Sequence, residues 1–322
     1  MLKRRTTLLA GAASALPLPA LAQAWPSKPL RILIPFAPGG TSDILARLLQ
    51  PRLQEALGQS VVVENRPGAN GNIAVDMIAK SQPDGYNLVL TDLGSVTISP
   101  SVMKLPFDLA KDFAAVTVMV YSPHLLAVYP GSPVNSVAEL IAYAKANPDK
   151  LNNATAGIAS APHLASALFA HELGLKWTNI PLKGGAEAIQ QVIGGHADVI
   201  FNGMVATLPH VKSGKLRGLA VSSAKRDAIA PELPTISEAG GPKDFVTGSW
   251  QGILAAAGTP AAILERLHAE ITKACALPEV ADRLKQLGAT LVLSKPEEAD
   301  RWIAGAVTRR AKVVKDTGIK LE

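Results

Sequence analysis

From residue 30 onward, short apolar runs alternate with segments whose apolar residues recur every three or four positions. Residues 30–36 read as a buried strand, and Ile44, Leu45, Leu48, Leu49 and Leu53 then share one face of a helix. Residues 61–64 are strand again, 73–80 a short helix and 87–91 a strand. This βαβαβ rhythm, with strands apolar on both faces, predicts a parallel sheet covered by helices. A second series follows, with strands at 125–129, 152–156, 177–182, 197–202 and 217–222. Helices over 137–147, 163–173 and 186–193 separate them, the first opened by Ser136 and Glu139 as a capping box. The chain returns to an apolar run at 253–255, then to helices from Pro260 to about 276, from 278 to 287, and after Pro296.

Two βα series predict an α/β protein of two lobes. Residues 121–129 are placed to carry the chain into the second lobe, and the glycine-rich 240–252 to carry it back. Lobe 2 (122–249) is then an insertion in lobe 1 (23–121 plus 250–322), with a hinged cleft between them.

The N-terminus stands outside this pattern. Lys3, Arg4 and Arg5 precede an apolar stretch over 8–21, and Ala20-Leu21-Ala22 and Ala22-Gln23-Ala24 both fit a small-x-small cleavage site. This predicts a signal peptide over 1–22, a mature chain beginning at Gln23 or Trp25, and a periplasmic location. Pro17 and Pro19 break the stretch before it reaches spanning length. The Arg4-Arg5 pair suits general or twin-arginine export. Removing three positive charges and no acids leaves +3 of the formal +6. The remaining positives form no stripe interleaved with aromatics, which argues against a nucleic-acid partner. The single Cys275 makes no internal disulfide and reads as a buried structural thiol.

The loop after the first strand, Pro35-Phe36-Ala37-Pro38-Gly39-Gly40-Thr41-Ser42-Asp43, puts backbone N–H groups at the carboxyl end of a parallel strand and the start of a helix. That is an anion-binding arrangement, and equally a plain tight turn with Thr41 or Ser42 as cap. Thr155-Ala156-Gly157-Ile158-Ala159-Ser160-Ala161-Pro162-His163 is a second loop of the same kind, in the second lobe. Two such loops facing across a cleft would hold a ligand with two acceptor ends. His163 is either a ligand contact or a structural helix-start histidine. Asn65 is placed to brace the cleft, and Asn202 falls at the carboxyl end of a strand, where cleft residues collect. Lys183-Gly184-Gly185 lacks the rest of a phosphate-binding loop. Gly248-Ser249-Trp250-Gln251-Gly252 has its serine one place early for a nucleophile elbow, and the histidines show no metal-ligand spacing. No catalytic set, cofactor or metal is called for; the chemistry on offer is binding.

These fragments resemble, in order and spacing, the extracytoplasmic solute receptors of tripartite tricarboxylate transporters, the Bug-type binding proteins. The resemblance runs through the 35–43 loop, Val63-Glu-Asn-Arg-Pro-Gly-Ala69, Pro83-Asp-Gly-Tyr86, His163-Leu164, Lys183-Gly-Gly185, Gly214-Lys-Leu-Arg217, Leu233-Pro-Thr235 and Gly258-Thr-Pro260. It implies a type II-like, two-lobed periplasmic-binding-protein fold, two Rossmann-like domains closing on a small carboxylate. It also implies delivery to a two-component membrane permease by a monomeric receptor that is not an enzyme. By position it carries ligand contacts to Phe36, Gly39, Gly40, Thr41, Ser42 and Asp43, and to Thr155, Gly157, Ala159, Ser160 and His163. A signalling receptor or a periplasmic enzyme on the same scaffold are the alternatives. The chain departs from the family pattern at Ala159, Ala167, Leu182 (usually tyrosine) and Asn202 (usually aspartate), and in having Asp92 where small polar residues are common. The lost acid at 202 removes a partner for a ligand ammonium and points to a ligand without an amino group.

Overall fold

The computed structural model describes residues 25–318; the signal peptide expected over 1–22 lies outside them. Strand β1 (Leu30–Ile34) is buried along nearly its whole length, as a central parallel strand must be, and pairs in parallel with β2 (Val61–Asn65) and β3 (Asn87–Asp92). Helix α1 (Thr41–Leu57) follows β1 and buries Leu45, Leu49, Leu53 and Leu57, a four-residue repeat that lies along one stripe. It ends on Gly58, whose φ of 63° is the left-handed cap that a glycine adopts without strain. Helices α2 (Asn72–Ala79) and α3 (Leu93–Ile98) follow β2 and β3.

Strand β4 (Phe113–Val128) is the long element that joins the two halves. Its first part, up to Pro123, pairs antiparallel with β9 (Gly248–Ala256), and the short β10 (Thr290–Leu291) pairs at Val120 and Tyr121. From His124 onward its partners change to β7 (Val199–Gly203) and β8 (Arg217–Val221). Pro123 has no N–H to give the ladder, and it sits opposite Gly248 where the partners change. The next N–H, of His124, is taken by the Ser222 hydroxyl at 2.9 Å. The sequence pattern predicts a strand only over 125–129 here; β4 starts at Phe113, and its ladder passes through Ser122-Pro123.

Beyond the crossing, β5 (Asn152–Thr155) lies between β6 (Thr178–Pro181) and β7, all in parallel. Helices α4 (Val137–Ala146) and α5 (Ala161–Leu173) contribute Val137, Leu140 and Phe169 to one apolar cluster, which also takes in Phe201 and Phe245. On the other face, α6 (Gly185–Ile193) and α7 (Met204–Lys212) supply Ile189, Val192 and Leu208. Helix α7 was not anticipated from the sequence. The first lobe is likewise layered. Helices α1, α8 (Ala261–Ala276) and α9 (Pro278–Gln286) cover one face of its sheet, and α2, α3 and α10 (Pro296–Thr317) the other. Cys275 is fully buried in the first of these clusters, and burial pushes its thiol pKa up to about 12, which leaves it inert near neutral pH. Strand order through both lobes is β2-β1-β3-β9-β4-β7-β5-β6. Among the described residues no helix is long and apolar enough to cross a membrane.

Candidate functional site

The carboxyl ends of β1, β3, β5, β6 and β7 all open into one cleft between the lobes, which is where open parallel sheets place their ligands. Phe36, Gly40, Thr41 and Ser42 line it from the β1–α1 loop, and Asp92, Ser95, Ser249 and Gln251 line its floor. Ala156, Pro162, Gly185 and Asn202 face them from the second lobe. The lobes touch across this cleft: the Ala37 N–H donates to the Lys183 carbonyl at 3.1 Å, and the Ala161 N–H to Ser95 Oγ at 3.4 Å. What remains between them is a cavity of about 30 Å³, room for one or two waters.

Three helices start at this cleft behind a glycine that offers no capping side chain: α1 behind Gly40, α6 behind Gly184 and α7 behind Gly203, the Val205 N–H of α7 being taken by Ser122 Oγ at 3.4 Å. The first N–H groups of a helix have no partner within it, and the aligned peptide dipoles put roughly half a positive charge at that end. Glycine at each cap lets the backbone come close. A Cβ on Gly185 would overlap the Asn202 amide, and one on Gly184, at φ 135°, would stand 3.0 Å from Phe36 Cβ. The wall therefore offers backbone donors from both lobes. Side-chain hydroxyls and amides complete it: Ser42 Oγ donates to Gln251 Oε1 at 2.7 Å, and Asn202 Nδ2 to Thr207 Oγ1 at 3.1 Å.

Asp92 is the only acid among the lining residues. Its Oδ1 accepts from the Gly94 N–H and its Oδ2 from Ser249 Oγ, both at 2.7 Å. Burial raises its pKa; the Ser249 hydrogen bond, the Arg310 charge and the Gly94 and Trp250 N–H groups oppose the rise without cancelling it. A carboxyl that resists ionisation sets less negative charge against an incoming anion.

Five of the sequence-predicted contacts, Phe36, Gly40, Thr41, Ser42 and Asn202, reach this lining. The others stand behind it. Gly39 faces the outer side of the loop, towards Ala186. Asp43 turns away from the cleft and accepts from the Gly39 N–H (2.9 Å), Arg47 Nε (3.0 Å) and Asn65 Nδ2 (2.9 Å). Burial would raise its pKa, but those hydrogen bonds and the Arg47 charge outweigh burial and lower it. Asn65 also donates to the Phe36 carbonyl at 3.1 Å, so Asp43 and Asn65 together brace the 35–43 loop. Asp43→Ala is expected to lower stability by about 2–3 kcal/mol, since it removes charged hydrogen bonds from a buried site. The urea midpoint would move down accordingly; an unchanged midpoint would deny the brace.

In the second lobe Thr155 is buried beneath the loop, Gly157 abuts Asn70, and Ala159 lies in an apolar seam with Ile98 and Leu164. Ser160 Oγ is committed to capping α5, accepting from the His163 N–H at 3.2 Å. His163 is 1% exposed and its Nδ1 accepts from the Ala159 N–H at 3.3 Å. Burial pulls its pKa down to about 4, so it is neutral at physiological pH. Ser249, Gln251 and Gly185 also line the cleft, although in the sequence they stand out only as parts of incomplete catalytic and phosphate-binding motifs. Alternate polar residues in an otherwise apolar strand were the available signal for the first two.

The fold and site define a two-lobed α/β protein with an interlobe cleft lined by backbone and side-chain groups of both lobes. The sequence description of the family "Tripartite tricarboxylate transporter family receptor" matches residues 45–319. The periplasmic binding protein BugD superposes with a TM-score of 0.88 at 34% identity, covering 92% of this chain and 99% of that one. Rpa4515 of R. palustris, solved with adipate, gives 0.87 at 34%, with 92% and 99% coverage. MatC (Rpa3494) of Rhodopseudomonas palustris, solved with bound malate, gives 0.84 at 30%, covering 90% of this chain and all of that one. The chain belongs to the tripartite tricarboxylate transporter receptor family, and it is a solute receptor of the Bug type.

Proposed function

We propose that the cleft captures a small di- or tricarboxylate without an amino group and that the loaded receptor delivers it to a two-component membrane permease. On this reading the signal peptide (1–22) is removed on export to the periplasm, the mature protein is a monomer, and the lobes divide at 121/122 and 249/250. The observation that carries the reading is the convergence of three glycine-capped helix N-termini from both lobes on one cleft. Donors on both sides suit a ligand with a carboxylate at each end, and the adipate- and malate-bound relatives have such ligands. Phe36, Gly40, Thr41, Ser42 and Asn202 then act as contacts, with Gly185, Ser249 and Gln251 beside them. Gly39, Asp43, Thr155, Gly157, Ala159, Ser160 and His163 hold the loops from behind. The closed cavity is too small for such a ligand, so entry requires the lobes to part, and closure adds the second set of contacts.

Calorimetry with succinate, malate, adipate and citrate, beside aspartate and glutamate, tests this. At least one of the plain acids is expected to bind at micromolar or lower Kd, with aspartate at least tenfold weaker than succinate. Tighter binding of the amino acids than of their deaminated analogues would sink the specificity, and silence across the panel would sink the site.

A further inference from the structure

Side chains alternate along β9, so Ser249 and Gln251 face the cleft while Gly248 and Trp250 face the opposite side of the crossing strands. There, behind the hinge, lies a separate groove of about 710 Å³, within the range of small-molecule sites. Its floor is aromatic: Tyr121 and Trp250 have ring centroids 4.7 Å apart, and Trp250 and Trp302 5.0 Å apart. Leu164 and Leu168 of α5 form the wall of one lobe and Val313 of α10 that of the other. Val246 and Val292, 53% and 40% exposed, sit on its rim.

Into this apolar groove the fold sets two arginines without a direct ion pair and a histidine nitrogen without a partner. Arg309 and Arg310 both line it. Among the described residues no carboxylate lies within 4 Å of either; Arg310 rests over the Trp302 ring at 5.9 Å, and its charge reaches the buried Asp92 without a direct ion pair. His124 also lines the groove and is 1% exposed. Its Nδ1 is paired with Thr247 Oγ1 at 3.0 Å, and its buried Nε2 has no partner. Burial first, and the Arg310 charge second, lower its pKa to about 3, so the ring is neutral. When Nδ1 accepts from the Thr247 hydroxyl, Nε2 carries the proton and is a donor. A buried donor without a partner is a standing penalty that a bound acceptor relieves.

We propose that this groove is a second ligand site, distinct from the cleft, for a monocarboxylate with an apolar, aryl-bearing tail. The carboxylate pairs with Arg310 and accepts from His124 Nε2, and the tail lies on Trp250 and Trp302. Because the walls come from both lobes across the hinge, an occupant there biases the same opening and closing that the cleft ligand uses.

The test is 3-phenylpropionate binding to the full mature chain by calorimetry, with and without a saturating concentration of the acid that fills the cleft. Binding is expected in both conditions, and at least tenfold weaker in Arg310→Gln. Leu164→Trp, which fills the groove without touching its charge, is expected to weaken it as much, with circular dichroism confirming the fold. No binding at millimolar probe, wild-type affinity in both variants, or full displacement by the cleft acid would overturn the proposal. The variant arms stand even if no acid of the panel fills the cleft.

Discussion

Gly203→Val is expected to weaken capture of the preferred acid at least a hundredfold, about 2.7 kcal/mol, while leaving the protein folded. Gly203 ends β7 and has φ −55° and ψ 130°, a conformation open to any residue, so valine adds no backbone strain. What it adds is volume at the lobe contact. A Cβ there would stand 2.8 Å from Thr41 Oγ1, at the start of α1, and 3.3 Å from Ser249 Oγ. The valine methyls reach further than the two hydroxyls can turn aside, so the overlap favours moving the lobes apart. A ligand that draws its affinity from both lobes then meets one set of donors at a time. Small-angle scattering is expected to show the variant holding an open radius of gyration even with saturating acid. Urea midpoint and circular dichroism would stay close to wild type. An affinity within threefold of wild type would mean that this closure is not part of capture.

The layered α/β architecture was legible because its strands are apolar on both faces and its helices keep a clean stripe, as Leu45, Leu49, Leu53 and Leu57 do. Illegibility began where local chemistry and long-range pairing disagree. Ser122-Pro123 reads as a break, yet the lost N–H falls where β4 exchanges β9 for β7 and β8, so the ladder gives up little. Helix α7 carries Pro209 in its last turn, which interrupts the helical pattern there. The 35–43 loop declared itself through Gly39-Gly40, but which of its side chains meet the cleft depends on helix phase. Successive residues turn by about 100°, so Thr41 and Ser42 face the ligand side while Asp43 swings back to Arg47 and Asn65. The second loop contributed Ala156 and Pro162 to the lining, whereas its more eye-catching Ser160 and His163 bond their own backbone. Spacing alone does not tell a hydroxyl that caps a helix from one that meets a ligand.

Acidification is expected to unfold the protein chiefly through two histidines. His124 and His163 are each 1% exposed, and their folded pKa values fall to about 3 and about 4, both through burial first. Unfolded, each returns to about 6.5. The unfolded chain therefore takes up protons first, so stability is complete above pH 6.5 and declines as pH falls towards the folded values. Each histidine removes about 1.4 kcal/mol per pH unit, roughly 5 kcal/mol together at pH 4.5, comparable with the whole stability of many proteins. Asp92 works in the opposite direction, because its raised pKa favours the folded state as it protonates. Asp43, with its lowered pKa, keeps its contribution until the pH drops below the ordinary carboxylate range. The histidine contribution is therefore isolated by difference. In His163→Asn the amide oxygen takes the place of Nδ1 as acceptor for the Ala159 N–H, but nothing titrates. Urea-unfolding free energy plotted against pH from 7.5 to 4.5 is expected to slope less steeply in this variant, by about 1.4 kcal/mol per unit below pH 6. His124→Asn should flatten it by a similar amount. Slopes parallel to wild type in both variants would place the acid sensitivity elsewhere in the fold.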